Sequence, residues 1–324
     1  MTPNLFNYAT SELTQDAFLC WLLAWADPTH ADADPMLHEV AVAFVGALFD
    51  RAGLEAPTRA RVEVLRQVRR VDVVALVGDQ HVLLIEDKTD TSNHSNQLDR
   101  YRAALADKYN RRTLVCIYLK SGDQSSYADV EAKGWAVFRR TDLLGVLRRG
   151  SKVRNEVFRQ FADHIEEIER SVQAYRSTPF DGWDRRAWSG FYMALQESLG
   201  SGGWGYVANP SGGFMGFWWG WMALDHGDKL YLQLEQDRLV VKVEVADEDR
   251  RGRVRDHWRD RVLSALPEFE RPKRMGRGRW MTVAVFRGDY RLADQGGVFD
   301  RGGTTATLRR LEKAVIEIVA PLRS

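Results

Sequence analysis

Three features of this sequence predict an α/β fold, a mixed sheet flanked by helices, followed by a second α+β unit. Arg69–Lys88 reads as two β-branched runs separated by Gly78-Asp79-Gln80, a β-hairpin signal. Helical and strand periodicities alternate around it in the order helix, three strands, helix, strand. At Pro179–Trp183 the texture changes, and aromatics and glycines dominate as far as Trp221.

Ser11–Ala26 is the first expected helix. Ser11 suits its N-cap, and Leu13, Ala17, Phe18, Trp21, Leu22 and Trp25 form an apolar stripe. Glu12 and Asp16 stand one turn apart on one face, where both carboxylates favour the positive end of the helix dipole. The loop Asp27–Pro35 leads to a second helix at about Met36–Ala52, on which Glu39 is a further candidate acid. Arg61–Val68 and the hairpin supply three successive strands. A polar loop, Thr89–Ser95, precedes a helix at Asn96–Tyr109, where Gln97 and Tyr101 share a face. Thr113–Leu119 is a continuous apolar run suited to a buried strand, and Trp135–Phe138 adds another before a short helix at Asp142–Arg148.

Lys152–Arg176 is a long amphipathic helix with Val157, Phe161, Ile165, Ile168 and Val172 on its apolar side. Beyond it, Lys229–Val245 reads as a hairpin turning near Gln236-Asp237. A basic helix at about Arg250–Leu266, a strand at Trp280–Phe286 and a helix at Thr304–Val319 follow. The expected division is a first domain over 1–150, a bridging helix over 151–178, and a C-terminal α+β domain over 179–324.

Composition narrows the class without naming a partner. No apolar run is long enough to span a bilayer, and Phe18–Trp25 lacks the basic lead-in of a signal peptide, so a cytoplasmic protein is expected. Cys20 and Cys116 have no metal-type spacing, which fits a reducing compartment. A net charge of +1 neither demands nor excludes nucleic acid, because local basic clusters such as Arg250–Arg279 act whatever the total. The Gly-rich segment Gly200–Gly220 lacks the Gly-Lys-Ser/Thr ending of a phosphate loop. Trp218, Trp219 and Trp221 fit the alternating core of a sheet better than a stacking platform. His81 and His94 lie nearest the centre, but no histidine pair has metal-ligand spacing, and no nucleophile-elbow serine or Cys-His arrangement is present.

The chemistry concentrates on the hairpin. Asp72, Glu86 and Lys88 are charges on otherwise apolar strands, which is costly unless they are paired or metal-bound. Glu86 and Lys88 share one face, and Asp87 points the other way. A three-residue loop, Gly78–Gln80, sets Asp72 opposite Glu86, whereas a two-residue loop puts it on the wrong face. Two carboxylates and a lysine on one face suit metal-assisted phosphodiester hydrolysis, since hard oxygen ligands hold magnesium or manganese. A structural ion pair at a sheet edge accounts for the same spacing equally well.

Asp72 followed by Glu86-Asp87-Lys88 resembles the motif of the PD-(D/E)XK nuclease superfamily, and the order of elements resembles its restriction-endonuclease-like αβββαβ core. Asn96-Gln97-Leu98-Asp99-Arg100-Tyr101 is similar to the Gln-x-x-x-Tyr motif of its RecB-like branch. Ser11-Glu12-Leu13-Thr14-Gln15-Asp16, leading into Phe18–Leu23, is similar to the first helix of a bacterial subgroup. The resemblance covers about 1–150; Val71 stands where the motif has proline. It implies that Asp72 and Glu86 bind the metal, Mg2+ or Mn2+, that Glu12 makes a further metal contact, and that Lys88 positions or activates the water. Gln97 and Tyr101 would orient Lys88 or contact the phosphate, and Asp87 would fill the variable position, pointing away.

The function so implied is a metal-dependent nuclease acting on DNA, in bacterial defence or repair. The alternative is a catalytically silent nucleic-acid-binding or sensor protein that uses the nuclease core as a scaffold. The C-terminal domain would then recognise nucleic acid, or else bind a protein or small ligand that gates the core. No membrane partner is expected, and cutting of both strands would call for a homodimer.

Overall fold

The β-branched runs on either side of Gly78 pair into the hairpin that orders the first sheet. The computed structural model describes residues 3–8, 12–65, 68, 71–89, 96–209 and 212–320. Strands β1 (Val62–Leu65), β2 (Val73–Val77) and β3 (His81–Lys88) are antiparallel neighbours. Strands β4 (Thr113–Lys120) and β5 (Ala136–Arg139) extend the sheet in parallel, giving the order β1-β2-β3-β4-β5. Val77 faces His81, so the loop holds three residues. Gly78 opens it at a φ of 57°, a conformation that L side chains adopt at a cost. Its N–H donates to the Arg61 carbonyl at 2.8 Å, tying the turn to the start of β1.

Helices cover both faces of this sheet, which is why β3 is apolar along most of its length. They are α1 (Glu12–Trp25), α2 (Pro35–Arg51), α3 (Gln97–Lys108), α4 (Ala128–Ala132), α5 (Arg140–Arg149) and α6 (Glu156–Gln173). Val73, Ala75, Leu83 and Ile85 pack with α1, α2, α5 and α6, while Val74, Val82, Leu84 and Tyr118 pack with Leu98 and Leu105 of α3 and Val130 of α4. Asp34 caps α2 through the Leu37 N–H at 3.1 Å, with Pro35 in the first turn. Ser11, the expected cap of α1, lies outside the described residues, as does His94.

Two apolar stripes each differ from expectation at one exposed residue. Leu13 is 73% exposed, and α1 instead buries Phe18, Leu19, Leu22 and Leu23. Val157 is likewise exposed, and α6 turns Phe158 inward beside Phe161, Ile165 and Ile168. In both helices the larger run of apolar residues sets the buried face, and the odd member stays in water.

The chain divides into two compact units, 1–170 and 171–324. In the second, α7 (Arg185–Leu199) precedes β6 (Gly203–Val207), β7 (Phe214–Ala223), β8 (Lys229–Glu235) and β9 (Arg238–Glu244). Helix α8 (Arg251–Ala265), β10 (Phe269–Glu270), β11 (Trp280–Phe286) and α9 (Arg301–Val319) complete it. Its strands form an antiparallel sheet in the order β10-β11-β9-β8-β7-β6. Much of the Gly-rich segment thus lies in the paired strands β6 and β7. Gly203 pairs with Trp218, and a Cβ there would lie 2.8 Å from the indole nitrogen, so glycine makes room for the ring. Of the three tryptophans expected in the core, Trp219 is buried, Trp218 is half-buried and Trp221 is exposed. A register shift between Trp219 and Met222 breaks the alternation.

Candidate active site

β3 ends in Glu86, Asp87 and Lys88, and the alternation of a strand sends them to opposite sides of the sheet. Val73 pairs with Ile85, so Asp72, one residue earlier, comes opposite Glu86 on the α3 side. The Asp72 Oδ2 accepts the backbone N–H of Asp87 at 2.9 Å, which anchors it just before β2 begins.

Lys88 is the hub. Its Nζ lies 2.8 Å from Glu86 Oε1 and 3.7 Å from both Asp72 Oδ2 and Glu12 Oε2. Glu12 reaches in from the first turn of α1, and its Oε1 accepts the Thr89 N–H at 3.1 Å. From the start of α3, Gln97 donates its amide to Glu86 Oε1 at 2.8 Å and to the Tyr101 hydroxyl at 3.0 Å. Glu12, Asp72, Glu86, Lys88, Gln97 and Tyr101 therefore stand in one connected network, with Gln97 holding Glu86 rather than Lys88. Glu39 is exposed on α2, and His81 packs its ring edge-on against Phe49.

Sequence reasoning missed a second layer behind the strand. Asp87 is fully buried, and its Oδ1 accepts the Gln15 amide at 2.5 Å. Asp16 of α1 is buried beside it, and neither Asp16 Oδ1 nor Asp87 Oδ2 meets a donor. Burial raises both acids, so the pair favours holding a proton. The signal was available in part: Gln15 and Asp16 follow Glu12 at helical spacing, so one turn of α1 can address both sides of the end of β3.

Charge is out of balance here. Burial and the neighbouring Asp72 push Glu86 up to about 7 against the pull of Lys88, and the same two causes push Asp16 to about 7. Burial and then Asp16 raise Asp87. Burial alone would lower the Lys88 ammonium, but Glu86, Asp72 and Glu12 outweigh it and hold the proton on. Three carboxylates, Glu12, Asp72 and Glu86, thus share Lys88, and the Glu86 Oε2 is buried, without a donor, within reach of Asp72. Beside them a cavity of about 750 Å³ is lined by Asp16, Asp72, Leu13, Cys20, Trp21 and Val64, among others.

A family model described as the PD-(D/E)XK nuclease superfamily matches residues 3–175, more than half of the chain. The chain belongs to this superfamily. No curated protein and no solved structure matches it. Membership implies a nuclease, a hydrolase of phosphodiester bonds, and the mixed five-stranded sheet between helices is consistent with the superfamily's fold.

Nucleases of this superfamily typically use divalent metals. Among the described residues, no three metal-ligating side chains are already gathered at metal-holding distances, since Asp72, Glu86 and Glu12 close around Lys88 instead. The donor set nevertheless fits such an ion: hard carboxylate oxygens, one of them buried without a partner, in a cluster short of positive charge.

Proposed function

We propose that this chain is a metal-dependent deoxyribonuclease whose site is Asp72, Glu86 and Lys88, assisted by Glu12, Gln97 and Tyr101. The observation that carries this reading is the convergence of three carboxylates on Lys88 at the end of one strand, in a pocket where burial leaves too much negative charge for the residues alone. Asp72 and Glu86 would hold Mg2+ or Mn2+, with Glu12 as a further oxygen donor. Such an ion, when bound, lowers the pKa of an attacking water and offsets charge on the phosphate.

The side chains divide the remaining work. Lys88 keeps its proton among the carboxylates, so it positions the water and stabilises developing negative charge as a donor rather than accepting a proton. Gln97 fixes the Glu86 carboxylate by its amide, and Tyr101 in turn orients that amide. The adjoining cavity gives a nucleotide room beside Asp72, with Trp21 and Leu13 as apolar walls. Cys116 is buried and Cys20 half-buried, and neither forms a disulfide, which supports a location in a reducing cytoplasm. Among the described residues no helix is long and apolar enough to cross a membrane.

Incubation with circular, linear and single-stranded DNA under Mg2+ or Mn2+ tests the reading, and circular substrate separates internal from end-directed cutting. Asp72→Ala and Lys88→Ala are expected to abolish cleavage. Cutting that survives both substitutions overturns it. Nucleic-acid binding without metal-stimulated cleavage would favour a sensor built on the nuclease core.

A further inference from the structure

The sheet of the second unit buries one face under its helices. Leu230, Leu232 and Leu234 of β8 and Val241 and Val243 of β9 join a core with Phe191 of α7, Val262 of α8 and Leu311 of α9. Strand alternation places Lys229, Tyr231, Lys242 and Trp280 on the other face. On that face Trp221 is 46% and Trp280 56% exposed. Trp221 stacks on Tyr231 with ring centroids 4.1 Å apart and planes at 19°. Each exposed indole carries a cation: Lys229 Nζ lies 5.8 Å from the Trp221 ring, and the Arg279 guanidinium 5.3 Å from that of Trp280. One strand, β9, lies between β11 and β8, so Trp280 and Tyr231 are offset by two strand spacings, about 10 Å.

Unpaired charge on this side is mostly cationic, Asp237 at the β8–β9 turn being a carboxylate that lines the cavity without an ion pair among the described residues. Glu235 is held by Arg238 and Lys242, and Glu244 by Arg279. The segment from β10 to β11 carries Arg271, Lys273, Arg274 and Arg277, and none of these has a carboxylate within ion-pair distance among the described residues. Arg255 of α8 pins that segment by donating to the Gly276 carbonyl at 2.7 Å. A cavity of about 690 Å³ lies between it and the sheet, lined by Arg238, Arg271, Lys273, Arg274, Val240 and Thr282, among others.

We propose that this face binds single-stranded nucleic acid. Bases stack on Trp221, backed by Tyr231, and on Trp280, while phosphates lie along Arg271, Lys273, Arg274 and Arg277. Exposed flat rings beside cations suit a strand whose bases are unstacked, because every base offers a π-face and every linkage a negative charge. A duplex hides its base faces and has nothing to set against the indoles. Nucleic acid as the occupant rests on the nuclease reading of the first unit.

The test is fluorescence anisotropy of a labelled oligothymidylate with the full chain in EDTA, where metal-dependent cutting is suppressed. The wild type is expected to bind, and the Trp221→Ala, Trp280→Ala double variant to bind about tenfold or more weakly. Replacing Arg271, Lys273 and Arg274 by alanine is expected to flatten the slope of log affinity against log salt by about 2. No binding by the wild type, unchanged affinity in both variants, or tighter binding of duplex overturns the proposal. So does a variant that splits a dimer without changing affinity, since a second copy would then be the occupant. Cleavage of circular DNA under Mg2+ is measured on the same proteins. A wild type that cuts circular DNA but does not bind the strand counts against this face alone, whereas a wild type that binds but never cuts counts against the nuclease reading.

Discussion

Lys88 acts as a tethered counter-ion for Glu86, Asp72 and Glu12. Removing it leaves acids that must either protonate or repel one another, so Lys88→Met should lose more stability at about pH 8 than at about pH 5, where protons take its place. Thermal unfolding at the two pH values checks this, and an equal loss at both contradicts it. The wild type carries a related signature. Folded Glu86 holds its proton to about 7, whereas an ordinary glutamate releases it near 4.5, and Asp16 behaves alike from 3.8. Between those values the folded state binds more protons than the unfolded one, so metal-free stability falls as pH rises through the window. Mg2+ should therefore raise the melting temperature more at about pH 8 than at about pH 5, and a larger shift at the acidic value would be the wrong sign. The front of this site was legible in the residues as one of two registers, and the three-residue loop Gly78–Gln80 is the one that brings Asp72 opposite Glu86. Asp16 and Asp87 were not, because alternation says which way Asp87 points but not that a turn of α1 waits there with another acid.

Elements keep these residues in place through local ties. Asp27 is buried between α1 and β1; its Oδ2 accepts the Val62 N–H at 3.0 Å and its Oδ1 the Thr29 N–H at 2.9 Å. Burial works against its charge, but the bonds from Thr29 and Val62, with Arg61 nearby, outweigh that and hold its pKa below the usual 3.8. Its contribution is present at neutral pH and fades only as pH falls through that lowered value, opposite in sign to Glu86. Asp27→Ala strands these donors and should cost about 1–3 kcal/mol in urea unfolding. Gly78→Val, which forces a β-branched side chain to positive φ, should cost about 1–2 kcal/mol. The hairpin was readable because loop length and β-branching agree. Helix α7 was not, since Trp188, Gly190, Phe191 and Tyr192 blur its apolar spacing and suggest strand. Its ends do carry signals, Asp184 capping the Ala187 N–H at 2.8 Å and Gly200 closing in the left-handed conformation.

At the scale of the whole chain, each unit has its own core, one around β3 and one around β8. A ligand that binds only the carboxylates stabilises the structure holding them. Hydrogen exchange with and without Mg2+ should show slower exchange in α1 and β2–β3 and no change in β7–β9; at a concentration a hundredfold above Kd the gain is about 2.7 kcal/mol. Protection spread evenly over both units would place the ion elsewhere. The architecture of the first unit was foreseeable because each element obeys one dominant pattern. In the second, the β8–β9 hairpin, α8, β11 and α9 were equally foreseeable, whereas α7, β6 and β7 were not, because glycines and aromatics blur their periodicity.

The fully buried Asp87 carries a lesson about inheritance. It sits where the superfamily's motif tolerates any residue, yet here it answers to Gln15 and Asp16 across the thickness of one strand. Drift at this position is therefore not free: an apolar replacement would orphan the Gln15 amide and strip Asp16 of its acidic neighbour. Positions 15, 16 and 87 should change together among descendants of this chain, while 12, 72, 86 and 88 stay still around them.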